Sequence, residues 1–192
     1  RKHFIISSKH NSKKVFIEFD GVQKYARVWL NNNYIGEHKG GFTSFCMDIT
    51  DYIKFDEDNL LAVEVSNRRD DKFGGIPPMT AGNWNVYGGI YRDVRIVIKN
   101  KIHIPFQGSA DYEGGTHVTT PVVNNEKGNV KVITYVKNDG DTVQNCTVIN
   151  YIVDADGKPI HTMESNQDVH PGVIVPFEQL SEDIVKPKLW SS

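Results

Sequence analysis

The chain has 192 residues, 39% of them hydrophobic, and its 22 Lys and Arg against 24 Asp and Glu leave a formal net charge of −2. That length holds one large β domain or two of ordinary size, and the apolar content is enough for real cores, so nothing points to disorder. Lys and Arg are scattered, so the basic footprint of a nucleic-acid binder is missing, and no run approaches the roughly 18 apolar residues of a membrane span.

In chain order, Arg1-Lys2-His3-Phe4 reads as the middle of a strand with no signal peptide ahead of it, as in a trimmed chain. Val15, Ile17 and Phe19 alternate with Glu18 and Asp20, and Ala26, Val28 and Leu30 alternate with Tyr25, Arg27 and Trp29. Both patterns predict half-buried strands. Asn31-Asn32 tolerates the left-handed dihedrals of a type I′ turn, which predicts a hairpin returning through Tyr34 and Ile35 to Gly36. Phe45, Met47 and Ile49 make another strand, and Asp48 to Tyr52 offers carboxylates and a hydroxyl to cap a short helical turn ending near Lys54. Glu57-Asp58-Asn59 turns the chain into a strand of Leu61, Val63 and Val65, which breaks at Asn67.

A long loop follows, with the charge cluster Arg68 to Lys72, Gly74-Gly75 and Pro77-Pro78. Loops above about 12 residues in compact domains are usually functional or mobile, which makes this the best site candidate, although a charge run also reads as plain solvated surface. It leads into the most informative stretch: the polar segment Asn83-Trp84-Asn85-Val86-Tyr87, the pair Gly88-Gly89, and then Ile90 to Ile98. Paired glycines permit positive φ and close backbone approach, so Gly88 and Gly89 are expected to form a bend feeding a strand. Ile90, Arg92, Val94, Ile96 and Ile98 share one face at period two, which puts the Arg92 guanidinium on the apolar side unless a bulge intervenes. A cation there needs a carboxylate or backbone carbonyls, so Arg92 is expected to be a paired, structural arginine.

Beyond Lys99 a less hydrophobic connector, Gln107 to Gly115, precedes alternations at Val118, Thr120 and Val122, at Val130 to Val136, at Val148 to Ile152 and at Val173 to Phe177, with a hairpin turn at Asp156-Gly157. Strands recurring without a crossover helix exclude parallel α/β folds and predict an antiparallel sandwich as the second domain, with a boundary near 99 to 102. Asp154-Ala155-Asp156-Gly157 lacks the further acceptors and closing Glu of a calcium loop. Cys46 and Cys146 fall in separate domains, so no disulfide is expected and both read as small half-buried hydrophobes. The seven histidines show no metal-ligand spacing, and no metal or cofactor is expected. Asn145-Cys146-Thr147 fits the short, common glycosylation pattern.

Val15 to Val22, then Tyr25-Ala26-Arg27-Val28-Trp29-Leu30-Asn31, Tyr34 to Phe45, Asp48-Ile49-Thr50 and Asn59 to Val65 resemble, in order, the N-terminal sugar-binding domain of glycoside hydrolase family 2, the β-galactosidase, β-glucuronidase and β-mannosidase group. Gly88-Gly89-Ile90-Tyr91-Arg92-Asp93-Val94 is similar to the run that ends that domain. Val118-Thr119-Thr120-Pro121 and Pro187-Lys188-Leu189-Trp190-Ser191 more weakly resemble the immunoglobulin-like domain that follows. The resemblance implies an all-β chain: a jelly-roll, galactose-binding-like β-sandwich over 1–99 and an immunoglobulin-like β-sandwich over 100–192. The opening strands that such a jelly roll usually has before Arg1 are missing, so an incomplete roll or an exposed edge is expected.

In the family, two glutamates on a (β/α)₈ barrel hydrolyse the glycoside with retention. No residue of this chain matches them, so no catalytic residue is assigned. The resemblance places Asn83 or Asn85 in the loop that reaches the terminal sugar, with Trp84 or Tyr87 to stack on a pyranose and Gly88, Gly89, Arg92 and Asp93 in structural roles. The expected partner is a carbohydrate shared with the barrel, not nucleic acid or membrane. Family members often associate through their β domains, so a homo-oligomer fits, as does a periplasmic or secreted location, although the sequence carries no address. A galactoside is the preferred substrate. The competing readings are a freestanding carbohydrate-binding module without hydrolase activity, to be recognised by sugar binding lost in Trp84→Ala, and an adhesion protein of immunoglobulin-like repeats.

Overall fold

The structure, a computed structural model, describes residues 1–67, 88–108 and 113–189. The chain divides into two units, the first built mainly from residues 1–100 and the second from Lys101 onward. Each is an antiparallel β-sandwich, the first a jelly roll and the second immunoglobulin-like.

The first unit contains β1 (Lys2–Phe4), β2 (Lys14–Phe19), β3 (Val22–Gln23), β4 (Tyr25–Leu30), β5 (Asn33–Lys39), β6 (Phe45–Asp48), β7 (Asn59–Ser66), β8 (Gly89–Ile90) and β9 (Val94–Lys99). One sheet runs β1-β7-β4-β5, the facing one β6-β2-β9, and β3 pairs with β8. The inward residues are those the alternation singled out. Val15, Ile17 and Phe19 of β2 and Ala26, Val28 and Leu30 of β4 are buried, and Phe19 stacks on Phe45 with ring centroids 4.6 Å apart. Each such side chain contributes about 1.5–3 kcal/mol by leaving water.

The Asn31-Asn32 turn forms as expected, with φ of 51° and 70°. The Asn31 carboxamide then ties the hairpin to the far connection, donating to Tyr52 O at 2.9 Å and Asn59 Oδ1 at 2.8 Å and accepting from Leu60 N at 3.0 Å. The capped turn is a 3₁₀ helix over Thr50–Tyr52, with Asp48 Oδ1 accepting Thr50 N at 2.9 Å. At the front of the unit β1 pairs, among the described residues, with Asn59, Leu60 and Leu61 of β7. Beside that edge strand a cavity of about 560 Å³ opens between the sheets, lined by Phe4, Phe19, Leu61, Val63, Val94 and Ile96.

The second unit contains β10 (Ile102–His103), β11 (Thr116–Thr119), β12 (Lys127–Gly128), β13 (Lys131–Asn138), β14 (Gln144–Val153), β15 (Pro159–Val169), β16 (Ile174–Leu180) and β17 (Ile184–Val185). β13 pairs with β10, β11 and β16; β14 and β15 form a hairpin, and β12 pairs with β17. Asp154 Oδ1 accepts Asp156 N and Lys158 N while Gly157 takes φ +78°, so this acidic run is a turn closed on itself. The alternation expected through Val118, Thr120 and Val122 ends at Thr119, and Val122 is exposed outside the strand. β15, at 11 residues, carries no apolar alternation in the sequence, because its half-buried inward positions include His161, Ser165 and Gln167.

Asn150, Gln179 and Ser165 inside this sandwich satisfy one another. Asn150 Nδ2 donates to Gln179 Oε1 at 2.7 Å, and Gln179 Nε2 donates to Val148 O at 3.0 Å and Ser165 Oγ at 2.8 Å. Val136, Val169 and Phe177 form the apolar cluster beside this network.

Candidate functional site

The run from Gly88 to Asp93 is anchored on both sides. β8 pairs with β3, Val22 opposite Ile90 and Gln23 opposite Gly89. Gly89 takes φ +92°, and a Cβ on Gly88 would stand 2.9 Å from Asn67 Nδ2. The positive φ of Gly89 is a backbone state that glycine adopts without strain, and a side chain at Gly88 would have to displace the Asn67 amide. Tyr91 is the fastener that sequence reasoning missed. Its ring lies so close to Gly21 that a Cβ there would stand 2.7 Å from Cζ, and its hydroxyl donates to Gly41 O at 2.6 Å.

The Gly40-Gly41 corner that receives this hydroxyl is itself braced. His38 Nε2 lies 3.0 Å from Thr43 Oγ1, and the His38 ring stacks on Phe45 with centroids 4.2 Å apart. Burial pushes the His38 imidazole below its ordinary value, so the ring is neutral at pH 7. Gln23 and Lys24, joined by a cis peptide bond, are buried next to the corner. Phe42, just beyond Gly41, is 75% exposed, and Ile90 and Tyr91 are also exposed. The sequence signal available for this corner was the Gly40-Gly41 pair.

Arg92 departs from the expected placement. The strand is interrupted between β8 and β9, where Asp20 N donates to Asp93 O at 3.0 Å. Ile90, Val94 and Ile96 line the cavity together, while Arg92 is exposed with its guanidinium 5.7 Å from the Tyr91 ring centroid. The break spares the chain the cost of desolvating a cation on an apolar face. Asp93 is solvent-facing, 3.6 Å from Arg95 Nη1, and Arg95 Nη2 also holds Asp20 Oδ1 at 2.5 Å.

Asn83, Trp84 and Asn85 lie outside the described residues, as does Tyr87. Both cysteines are half-buried and free. Burial, then the neighbouring Glu18, pushes the Cys46 thiol up to about 12, and burial also raises Cys146, so neither is a thiolate at neutral pH. Among the described residues no three His, Cys, Asp or Glu side chains come together as a metal would require. What the Gly88–Asp93 run and its two glycine corners form is a fixed backbone platform with exposed rings at its rim.

The family model "Glycosyl hydrolases family 2, sugar binding domain" matches residues 1–100. A β-glucuronidase of Formosa agariphila is 32% identical over 197 residues, covering 99% of this chain and 20% of that protein. A β-galactosidase of Thermoanaerobacter pseudethanolicus is 39% identical over 145 residues, covering 72% of this chain and 19% of that protein. The crystal structure of Bacteroides uniformis β-glucuronidase superimposes with a TM-score of 0.89 at 28% identity, covering 99% of this chain and 22% of that one. The chain thus spans about a fifth of the length of these relatives. With the matched domain folded as described and its terminal run anchored by Gly21, Gly41 and Tyr91, the chain belongs to glycoside hydrolase family 2.

Proposed function

We propose that this chain is a non-catalytic part of a longer glycoside hydrolase that cleaves O-glycosidic bonds with retention, and that its first unit shapes the substrate pocket of a (β/α)₈ barrel carried elsewhere in that polypeptide. The observation that carries this reading is the family match over residues 1–100, ending on the anchored Gly88–Asp93 platform. On this reading Asn83, Trp84 and Asn85, which precede that platform in the chain, contact the sugar. Their carboxamides offer donor and acceptor to sugar hydroxyls, and the indole offers a stacking face. Gly88 and Gly89 set the bend, while Arg92 and Asp93 act at its exposed rim rather than in a core. The reading commits to a β-galactoside, and relatives are named both β-galactosidase and β-glucuronidase, so the two substrates belong side by side in the test.

The longer polypeptide should hydrolyse nitrophenyl β-galactoside faster than nitrophenyl β-glucuronide, while the 192-residue chain alone turns over neither. Trp84→Ala and Asn83→Ala in the longer polypeptide should raise KM more than they lower kcat, as expected for lost sugar contacts. Turnover by the 192-residue chain, abolished by a substitution within it, would overthrow the reading.

A further inference from the structure

Tyr25, Arg27 and Trp29 of β4 alternate with its core residues and so point to the outer face of the sheet. Their cross-strand neighbours share that face: Lys39 and Ser66 beside Tyr25, Glu37 and Glu64 beside Arg27, Tyr34 and Ala62 beside Trp29. An irregularity between Val28 and Trp29 brings Tyr34 opposite the indole. The side chains are tied into one layer. Arg27 Nη2 lies 2.7 and 2.6 Å from the two Glu64 oxygens, and the guanidinium carbon sits 5.8 Å from the Tyr25 ring centroid and 5.7 Å from that of Trp29. Glu37 Oε2 accepts the Tyr25 hydroxyl at 2.5 Å and the Tyr34 hydroxyl at 3.3 Å, while Lys39 Nζ stands 3.3 Å from Oε1. Trp29 and Tyr34 meet with ring centroids 5.6 Å apart, tilted by 59°, and Tyr34 is 50% exposed.

Three properties of this face select a ligand. Arg27 and Lys39 are balanced by Glu37 and Glu64, so the face suits a neutral ligand and not a polyanion. Its apolar surface is aromatic, with no aliphatic side chain larger than Ala62 at these positions, and so offers ring faces and edges to C–H groups. The Arg27, Glu37 and Glu64 groups are planar and already held by hydrogen bonds, so little of their ordering entropy remains to be lost on binding. The hydrogen bond from Tyr25 holds the Glu37 carboxyl below its ordinary value, and the same bond and burial push the Tyr25 phenol up to about 12. Donor and acceptor are therefore set throughout the neutral range.

A pyranose ring presents what such a layer binds: a flat C–H face for aromatic rings and flanking hydroxyls for carboxylate and guanidinium groups. We propose that this outer face is a carbohydrate-binding surface for a neutral pyranoside, stacked on Tyr34 and Trp29 and hydrogen-bonded by Glu37, Glu64 and Arg27. The choice of a sugar rests on the carbohydrate-active reading above, whereas the position rests on the sheet geometry alone.

The test is a titration of the full 192-residue chain, ¹⁵N-labelled at its tryptophan indoles, with methyl β-D-galactopyranoside and, separately, with anionic methyl β-D-glucuronide. The Trp29 resonance, identified by its loss in Trp29→Phe, should shift saturably with the galactoside at a Kd of about 1 mM, the affinity of a few well-placed contacts. Tyr34→Ala and Glu37→Gln, both at exposed positions and with folding verified by an unchanged amide spectrum elsewhere, should each weaken binding at least about tenfold. No shift up to about 50 mM, an undiminished shift in Tyr34→Ala, or tighter binding of the glucuronide would overturn the proposal. So would concentration-dependent dimerisation that buries Trp29 without sugar. A longer polypeptide that hydrolyses nothing leaves this titration standing, and a failed titration leaves the hydrolase reading standing.

Discussion

In the first unit the facing strands β2 and β4 bury Val15, Ile17, Phe19, Ala26, Val28 and Leu30, and its buried polar side chains, Gln23, Lys24 and Asn59, lie outside those two alternations, whereas the second unit buries Thr134 and Gln179 within β13 and β16, the strands that carry Val136 and Phe177. The two sandwiches are therefore held together differently. An apolar interior is non-directional and tolerates exchange of shape for shape, while a polar layer is favourable only when each amide and hydroxyl meets its partner. Asn150, Gln179, Ser165 and the Val148 carbonyl meet theirs across three strands, so in the second unit register is set by hydrogen bonds as well as by area.

Substitutions can sharpen or break this contrast. The largest effect is expected for Phe19→Ala, which removes a fully buried ring stacked on Phe45 and should cost about 3–5 kcal/mol in urea unfolding. A loss below about 1 kcal/mol would mean that the adjoining cavity lets the sheets close over the gap.

Gln179→Leu should cost about 1–3 kcal/mol by orphaning Asn150, Ser165 and a carbonyl, and the double change with Asn150→Val should recover a large part of it. Equal costs for the single and double variants, read from melting curves, would remove the distinction between the two interiors. Gly89→Ala should cost about 1 kcal/mol, since a side chain must then adopt φ +92° although nothing crowds the position.

The smallest effect is electrostatic. Burial opposes charging Asp48, but bonds from Lys14 and Thr50 outweigh it and hold the carboxyl below its ordinary value. A carboxyl whose folded value is depressed adds stability above its unfolded value of about 3.9 and loses it as pH falls through the folded value. Asp48→Asn should therefore lower stability slightly at pH 7 and leave it nearly unchanged once the wild-type carboxyl is protonated, which flattens the acid limb of the stability curve below about pH 4. An unchanged acid limb in denaturant titrations would show that the Lys14 and Thr50 contacts do not persist in solution.

The two interiors also explain which parts of the fold were legible. β2 and β4 could be read directly because alternation of apolar and polar residues is the burial pattern itself, and Asn31-Asn32 and Gly157 were readable because left-handed backbone selects those residue types. β15 was not readable, since polar His161, Ser165 and Gln167 stand between Met163 and Val169 on its inward face, and Ser165 and Gln167 become acceptable there only when partners from β16 arrive. The resemblance to the family was legible in ordered motifs, and the match over residues 1–100 agrees with it. At the candidate site the glycine pair was legible, because the positive φ of Gly89 favours glycine. The Arg92 expectation failed because period two assumes an unbroken strand, and the interruption at Tyr91–Asp93 is decided by Tyr91 reaching Gly41 and Asp93 meeting Asp20, fifty and seventy-three positions away along the chain.

By itself, then, the amino-acid order determined the strands with apolar faces, the turns that need left-handed residues and the family, all of which depend on short-range chemistry repeated in a recognisable order. Only the tertiary structure decided that Arg92 stays in solvent, that Tyr91 pins two glycine corners, that polar side chains can fill half a core, and that Tyr25, Arg27, Trp29 and Tyr34 form one layer. Each of these turns on whether a distant polar or aromatic group finds its partner, and sequence separation carries no record of that meeting.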